Sequence, residues 1–532
     1  MQWYQNAIFY ELYLRAFYDA DGNGHGDFAG LRQKLDYLQW LGVDCIWLLP
    51  IYPSPLFDDG YDIASFYGIH PDYGVMEDFR LTVDEIHRRG MRIIADLVVN
   101  HTSSQHPWFV EARRSKDSPL RNFYVWSQSG QEYKDARIIF LDTETSNWAY
   151  DEGSGEYYWH RFFSSQPDLN YDNPRVQQAM MDVMRYWLDM GIDGFRVDAV
   201  PYLFEREGTN CENLNETHQF LKRMRALVDA HYAHVTLLGE ANQWPKDVVP
   251  YYGTKQDGQE FHMNFHFPVM PRLYMALAKQ DRTSVVDIIE QTPEIPHGSQ
   301  WVTFLRNHDE LTLEMVTEEE RQFMWDYYAP EPAYRLNLGI RRRLAPLMDN
   351  DRRKIQLMHS LLFTLPGAPI LYYGDEIGMG DDVTQFDRNG VRTPMQWDDT
   401  ENGGFSRARR EQLYIPTISD AEYGYSKVNV AVQREDPHSL LHTIRAMIFA
   451  RKGLPVLGVG RLEWWHELPN ELLCFWRKSE YDTLLCLHNL SDEDRTVHVE
   501  GLYKDVLAGT DDLISGEILL LPFGYRWLTL IG

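Results

Sequence analysis

The chain has 532 residues, 44% of them hydrophobic, and a formal net charge of −28. That length accommodates one large domain and one or two smaller ones around a sizeable core. The acidic balance excludes a nucleic-acid binder, which needs a basic face, and a protein seated on an anionic membrane.

Strand and helix patterns alternate from the start. Residues 8–12 read as a strand and 31–41 as a helix that stops at Gly42. A second strand over 45–50, a helix over 79–89 closed by Gly90 and a third strand over 92–99 follow. Apolar runs such as 92–99 suit a parallel strand covered on both faces. Repeated β-α order predicts a parallel sheet with right-handed crossovers. The rhythm stops over 102–173, a stretch rich in Trp, Tyr, Ser, Asp and Pro. So long a loop is expected to be an inserted domain with its own structure. A helix over 176–190 and a strand over 194–198 resume the pattern. Further strands are expected over 236–241, 261–267, 301–309 and 369–376, which completes eight. The fold class predicted is α/β, a (β/α)₈ TIM barrel over 1–101 and 174–454. Charged residues 310–353 are expected to form a helical lid over the barrel mouth. Short apolar runs over 471–476, 483–488, 495–500 and 517–522 predict an all-β sandwich over 455–532.

The four cysteines, Cys45, Cys211, Cys474 and Cys486, contain no CxxC pair, which argues against zinc. They suit a reducing compartment and leave a Cys474–Cys486 bridge open. Residues 1–6 lack the basic and apolar parts of a signal peptide, and no apolar run reaches spanning length. The expectation is a soluble cytoplasmic protein. Aromatic residues make up 14% of the chain, and those outside the core can supply flat surfaces for sugar rings.

Four separated segments place polar residues at the ends of apolar runs: 96–101, 194–198, 238–240 and 304–309. A barrel builds its active site at such strand ends. Asp198 and Glu240 end consecutive predicted strands, which lie ~4.8 Å apart. Their carboxyls can therefore approach the ~5–5.5 Å separation of a retaining glycosidase. Arg196 shares a strand face with Asp198 and favours its ionised form. Glu240 has no basic neighbour in sequence, so its proton affinity can rise. Asp309 ends the seventh strand and can stabilise an oxocarbenium-like transition state. His101 and His308 can donate to the same sugar. Asp19, Asp21, Asn23, His25 and Asp27 alternate with other residues around glycines, a pattern that suits calcium or a bare Asx-turn loop.

These four segments, in this order, resemble the signature of the α-amylase family, glycoside hydrolase family 13, over residues 8–376. The resemblance implies Asp198 as nucleophile, Glu240 as acid/base and Asp309 as transition-state stabiliser. It implies sugar contacts from Asp58, Tyr61, His101, Arg196, His308 and Arg392. The loop at 19–27 is similar to one in the family's oligo-1,6-glucosidase branch. A second calcium (Ca2+) site is implied at Asn100, Asp168, Tyr202, Leu203 and Glu205. Residues 304–314 and 339–347 resemble the branch that interconverts maltose and trehalose. That branch must retain freed glucose, for which Asn242, Glu310 and Glu314 are the candidate contacts. The alternative is an α-glucosidase or oligo-1,6-glucosidase acting on short α-glucosides. A binding protein without catalysis fits poorly with three intact carboxyls. Homo-oligomerisation and a maltokinase partner are left open.

Overall fold

The computed structural model describes residues 1–254 and 258–531. Eight parallel strands close into a barrel in chain order. They are β1 (Phe9–Leu12), β2 (Cys45–Leu48), β3 (Arg92–Val98) and β4 (Gly194–Asp198), then β5 (Thr236–Gly239), β6 (Met263–Phe265), β7 (Gln300–Phe304) and β8 (Ala368–Tyr372). Nearly every strand residue is buried, as expected where helices cover the outside and side chains fill the inside. The helix Phe28–Leu41 shows how sharply the sequence ends its elements. Asp27 caps its start by accepting from the Gly30 N–H, and Gly42 closes it at φ 103°. Two strands stop earlier than their apolar runs suggest. β7 ends at Phe304 and β8 at Tyr372, so Asp309 lies in the loop beyond and Glu376 in a short 3-10 helix, Asp375–Ile377.

The insertion after β3 carries the helix Pro107–Ala112 and a three-stranded antiparallel sheet of Trp126–Ser127, Glu156–Trp159 and Trp148–Asp151. The backbone bridge His101–Asp168 and the Leu169 N–H to Asn100 carbonyl bond fasten it to the barrel rim, and a bridge Tyr124–Leu169 ties its own segments together. Residues 310–353 are not purely helical. One helix, Glu318–Tyr328, starts on a Thr317/Glu320 capping box. The chain then meets Pro330 and Pro332, which cannot continue a helix. Leu311–Thr312, Gly339–Ile340 and Arg335–Leu336 form a small antiparallel sheet instead.

The C-terminal region is a single six-stranded antiparallel sheet rather than two separate stacked sheets. A register shift between Val499 and Tyr503 bends its long strand, Arg495–Asp505. Both faces are buried at its central strand, Thr483–His488, while the outer strands leave one face exposed. Leu485, Leu487 and Leu528 pack with Val497 and Leu520 on one side. Leu484, Cys486 and Trp527 point the other way and join the barrel core. Arg477 reaches from this sheet to the carbonyls of Thr364, Leu457 and Gly460. Arg451 binds those of Phe363 and Gly367. The two guanidiniums thus satisfy orphan carbonyls at the end of the helix Arg352–Thr364, where a cation is favoured. All four cysteines are buried and free, so Cys474 and Cys486 are not bridged. They sit on opposite faces of the sheet. Among the described residues no helix is long and apolar enough to cross a membrane.

Candidate active site

Arg196 on β4 organises the floor of the site. Its Nη1 donates to Asp96 at 2.6 Å and to Asp198 at 2.5 Å, and its Nη2 donates to Glu240. Glu240 therefore has a basic neighbour in space that its sequence context does not reveal. The second Glu240 oxygen accepts the Ala199 N–H at 3.0 Å. Ala199 holds φ 50°, a conformation uncommon for residues other than glycine, and this turn aims its N–H at the carboxyl. Both candidate catalytic carboxyls are thus fixed on one guanidinium.

Their proton affinities are raised to different extents. Burial pushes Asp198 up to about 6, with Arg196 opposing. Burial pushes Glu240 up to about 8, again against Arg196, with help from the carboxylates of Asp198 and Asp309. At neutral pH one is ionised and the other protonated, the division of labour that an acid and a nucleophile need.

Asp309 reaches the same floor from the loop after β7. Burial opposes its ionisation, but the His308 ring, Arg388 and Arg392 hold its carboxyl well below the usual range. Arg388 binds Asp309 at 2.7 Å and Asp58 at 3.2 Å. Arg392 binds Asp309 at 3.2 Å, Asp59 at 2.7 Å and the His308 carbonyl. The Tyr61 ring lies parallel to the His308 imidazole, 5.3 Å away, and its hydroxyl donates to Asp96. His101 presents Nε2 to the Tyr61 carbonyl, and burial lowers its proton affinity to about 4.

A pocket opens over these groups. Of the residues expected to meet sugar, Asp58, Tyr61, His101, Asn242, His308, Glu310 and Glu314 line it. Arg196 lies beneath, and Arg392 stands behind Asp309 as a support. The arginine at the pocket wall is Arg388, four residues earlier in the same loop. Arg341 grips that loop through the carbonyls of Gln385 and Asp387, and Arg342 through Asp381. The arginine run 341–343 therefore places Arg388. The roof comes from two insertions: Ile139, Phe140 and Phe162 on one side, Thr312 and Glu314 on the other. Arg137 joins them, binding Glu314 at 2.7 Å, Glu212 at 2.8 Å and the Tyr202 hydroxyl at 3.1 Å. Gln166 donates to Asp58 at 2.9 Å. Sequence reading misses Arg388, Arg137, Gln166 and the three roof aromatic or aliphatic groups, which sit in loops without periodicity.

Residues 11–327 and 341–460 match the family model for the alpha-amylase catalytic domain. The chain belongs to the α-amylase family. It is 57% identical over 493 residues to a trehalose synthase/amylase of Mycobacterium tuberculosis, which covers 92% of this chain and 82% of that one. It is 54% identical over 509 residues to a trehalose synthase of Pimelobacter sp., covering 94% and 89%. The trehalulose synthase of Pseudomonas mesoacidophila MX-45 has a similar structure, with a TM-score of 0.81 at 26% identity and full coverage of both chains.

Two clusters in this α-amylase-family chain present oxygen atoms suited to a hard cation. Asp19, Asp21 and Asp27 bring carboxylate oxygens within 4.8 Å of one another. The loop is tight: a Cβ on Gly24 would meet the Gln412 carbonyl at 2.1 Å. Asn23 accepts the His25 N–H and so shapes the loop. The His25 imidazole turns away, towards Arg15 and Asp72. Its side chain does not join the carboxylates. In the second cluster Asn100 Oδ1, Asp168 Oδ2 and Glu205 Oε1 are buried without a hydrogen-bond partner. Burial pushes Asp168 up to about 8, and it pushes Glu205 well above the usual range, with Asp168 adding to it. Tyr202 and Leu203 have only main-chain carbonyls to offer, because the Tyr202 hydroxyl is engaged by Arg137.

Proposed function

We propose that this protein interconverts maltose and trehalose by intramolecular glucosyl transfer through a covalent glucosyl–Asp198 intermediate, with minor hydrolysis to glucose. It is a sugar isomerase of the α-amylase family, in keeping with its similarity to trehalose and trehalulose synthases. The observation that carries the finer reading is the roofed pocket: two carboxyls of unequal proton affinity lie on one guanidinium beneath a cover closed by Arg137 and Glu314.

In the reaction Asp198 attacks the anomeric carbon of the non-reducing glucose as Glu240 gives its proton to the glycosidic oxygen. Asp309 and His308 hold the sugar as positive charge develops on its ring. The freed glucose turns so that its anomeric hydroxyl faces the glucosyl–Asp198 ester. Glu240, now a carboxylate, takes the hydroxyl proton, and the new bond forms with net retention. Asn242, Glu310 and Glu314 surround the turning glucose; Asn242 Oδ1 and Glu310 Oε2 are buried acceptors with no hydrogen-bond partner. Water entering at that moment would give two molecules of glucose, so the roof sets the product ratio.

Incubation with maltose should give trehalose as the main product, with little uptake of labelled free glucose into disaccharide. Glucose alone would select a hydrolase, and heavy label uptake would reject the enclosed pocket. Arg137→Ala or Glu314→Ala should open the roof. Losing ~1 kcal/mol of closure shifts an open-to-closed balance about fivefold, so glucose should rise several-fold against trehalose. A proportional fall of both products would reduce these residues to general support.

Calcium is proposed as a structural ion at one or both oxygen clusters. Asp19, Asp21 and Asp27 would hold one ion, and Asn100, Asp168 and Glu205 the other. The orphaned buried acceptors of the second cluster are the stronger support. A bound ion neutralises carboxylates that are costly to bury and ties the insertion to the barrel. EDTA should lower the melting temperature and added calcium restore it. An unchanged melting curve together with no metal by elemental analysis would remove both sites.

A further inference from the structure

Glu11 on β1 is completely buried beneath the active site, and the mechanism above gives it no part. Its Oε1 accepts the His308 main-chain N–H at 3.0 Å and lies 2.6 Å from His308 Nδ1. Its Oε2 is buried and has no hydrogen-bond partner. The far ring nitrogen, His308 Nε2, lies 3.3 Å from Asp309 Oδ2 and faces the pocket. The ring cannot turn away from this arrangement: Tyr61 is stacked on its face and the Trp47 ring meets it nearly at right angles.

We propose that Glu11 is a positioning residue that keeps a proton on His308 Nε2, so that this nitrogen turns an N–H rather than a lone pair towards the Asp309 carboxylate and can donate to a sugar hydroxyl. The 2.6 Å contact requires one proton between Oε1 and Nδ1. If that were the ring's sole proton, the Nε2 lone pair would confront the Asp309 carboxylate across 3.3 Å. A second proton on Nε2 removes the clash and makes the Glu11–His308 pair neutral overall. Neutrality matters here, because Asp96, Asp309 and Arg196 all face the same small volume. Burial acts in the same direction, raising the proton affinity of Glu11 well above the carboxylate range and lowering that of His308 well below the imidazole range. The proton between them then belongs to Glu11, whose hydroxyl oxygen can accept from the main-chain N–H while donating to Nδ1. Histidine ligands elsewhere are oriented by second partners in this way.

Glutamine has the same shape but cannot do this. Its oxygen, committed to the main-chain N–H, can only accept from Nδ1–H, which leaves Nε2 bare. The proposal rests on the pocket being the sugar site, and the test separates the two. Nitrogen-15 spectra of histidine-labelled enzyme, assigned by the signal lost in His308→Gln, should show a pyrrole-type, protonated Nε2 in the parent. A pyridine-type Nε2 there overturns the proposal whether or not any Glu11 variant folds; failure of the parent to act on maltose would overturn the site reading instead. Glu11→Gln should convert Nε2 to the pyridine type and lower kcat/KM for maltose about tenfold or more, the effect of losing a donor to the sugar and leaving a buried lone pair against a carboxylate. Added to His308→Gln it should cause no further loss. Losses that multiply, or a Glu11→Gln enzyme within twofold of the parent, would assign Glu11 a purely structural role.

Discussion

Replacing Asp198 by asparagine is expected to lower maltose turnover by at least about 10⁴-fold, a barrier increase of about 5.5 kcal/mol. The amide keeps the shape of the carboxyl but cannot attack the anomeric carbon, so the covalent route closes. The fold should survive. Arg196, the buried cation beneath it, keeps Asp96 and Glu240 as carboxyl partners. The checks are turnover of maltose with product analysis and a melting curve for the variant. Retention of more than about 1% of parent activity in a folded Asp198→Asn protein would reject Asp198 as nucleophile.

The second large effect belongs to Glu240. Glu240→Gln should reduce turnover of maltose by about 10²–10⁴-fold, the usual contribution of a positioned general acid. Substrates with good leaving groups need no such acid, so an aryl α-glucoside should still load the enzyme. Added azide should then release glucosyl azide, because it needs no base to attack. The parent should show a bell-shaped pH profile of kcat/KM. Its acid limb lies near Asp198, at about 6, and is lost as the nucleophile protonates. Its alkaline limb lies near Glu240, at about 8, and is lost as the acid ionises. Glu240→Gln should abolish the alkaline limb alone. Equal loss on maltose and aryl glucosides, with no response to azide, would sink the acid/base assignment.

The barrel was legible because its strands are written as apolar runs and its helices end on glycines such as Gly42. The catalytic carboxyls were legible because Asp198 and Glu240 sit at or one residue beyond strand ends. Not all of what lay further along the loops was. The family resemblance implies Arg392 as the sugar contact, yet Arg388 reaches the pocket. A pair of arginines four residues apart after the eighth strand was the available signal; which of them faces the sugar depends on how Arg341 and Arg342 hold the loop. Glu11 was hidden for a different reason. A single acid in an apolar strand looks like an ordinary exception until the register brings it against His308, 297 residues away. The C-terminal strands were readable by alternation, but a bend within Arg495–Asp505 cannot be read from periodicity.

The buried arginines at the base of the barrel bear on how this enzyme can be taken apart. Arg477 comes from the C-terminal sheet, yet the carbonyls it serves belong to Thr364, Leu457 and Gly460 of the preceding chain. Trp527, near the chain's end, donates to Ser360 of the same helix. The sheet is therefore not an appendage that recombination could exchange freely. A donor sheet would have to bring an arginine and a tryptophan to the same places, or the helix that precedes the eighth strand would be left with exposed apolar residues and unanswered carbonyls. Modularity in this molecule lies at the rim, where the two insertions meet over the pocket. Changes of reaction can be made there without disturbing the base, and variation in lineage or in the laboratory is expected to concentrate on that side.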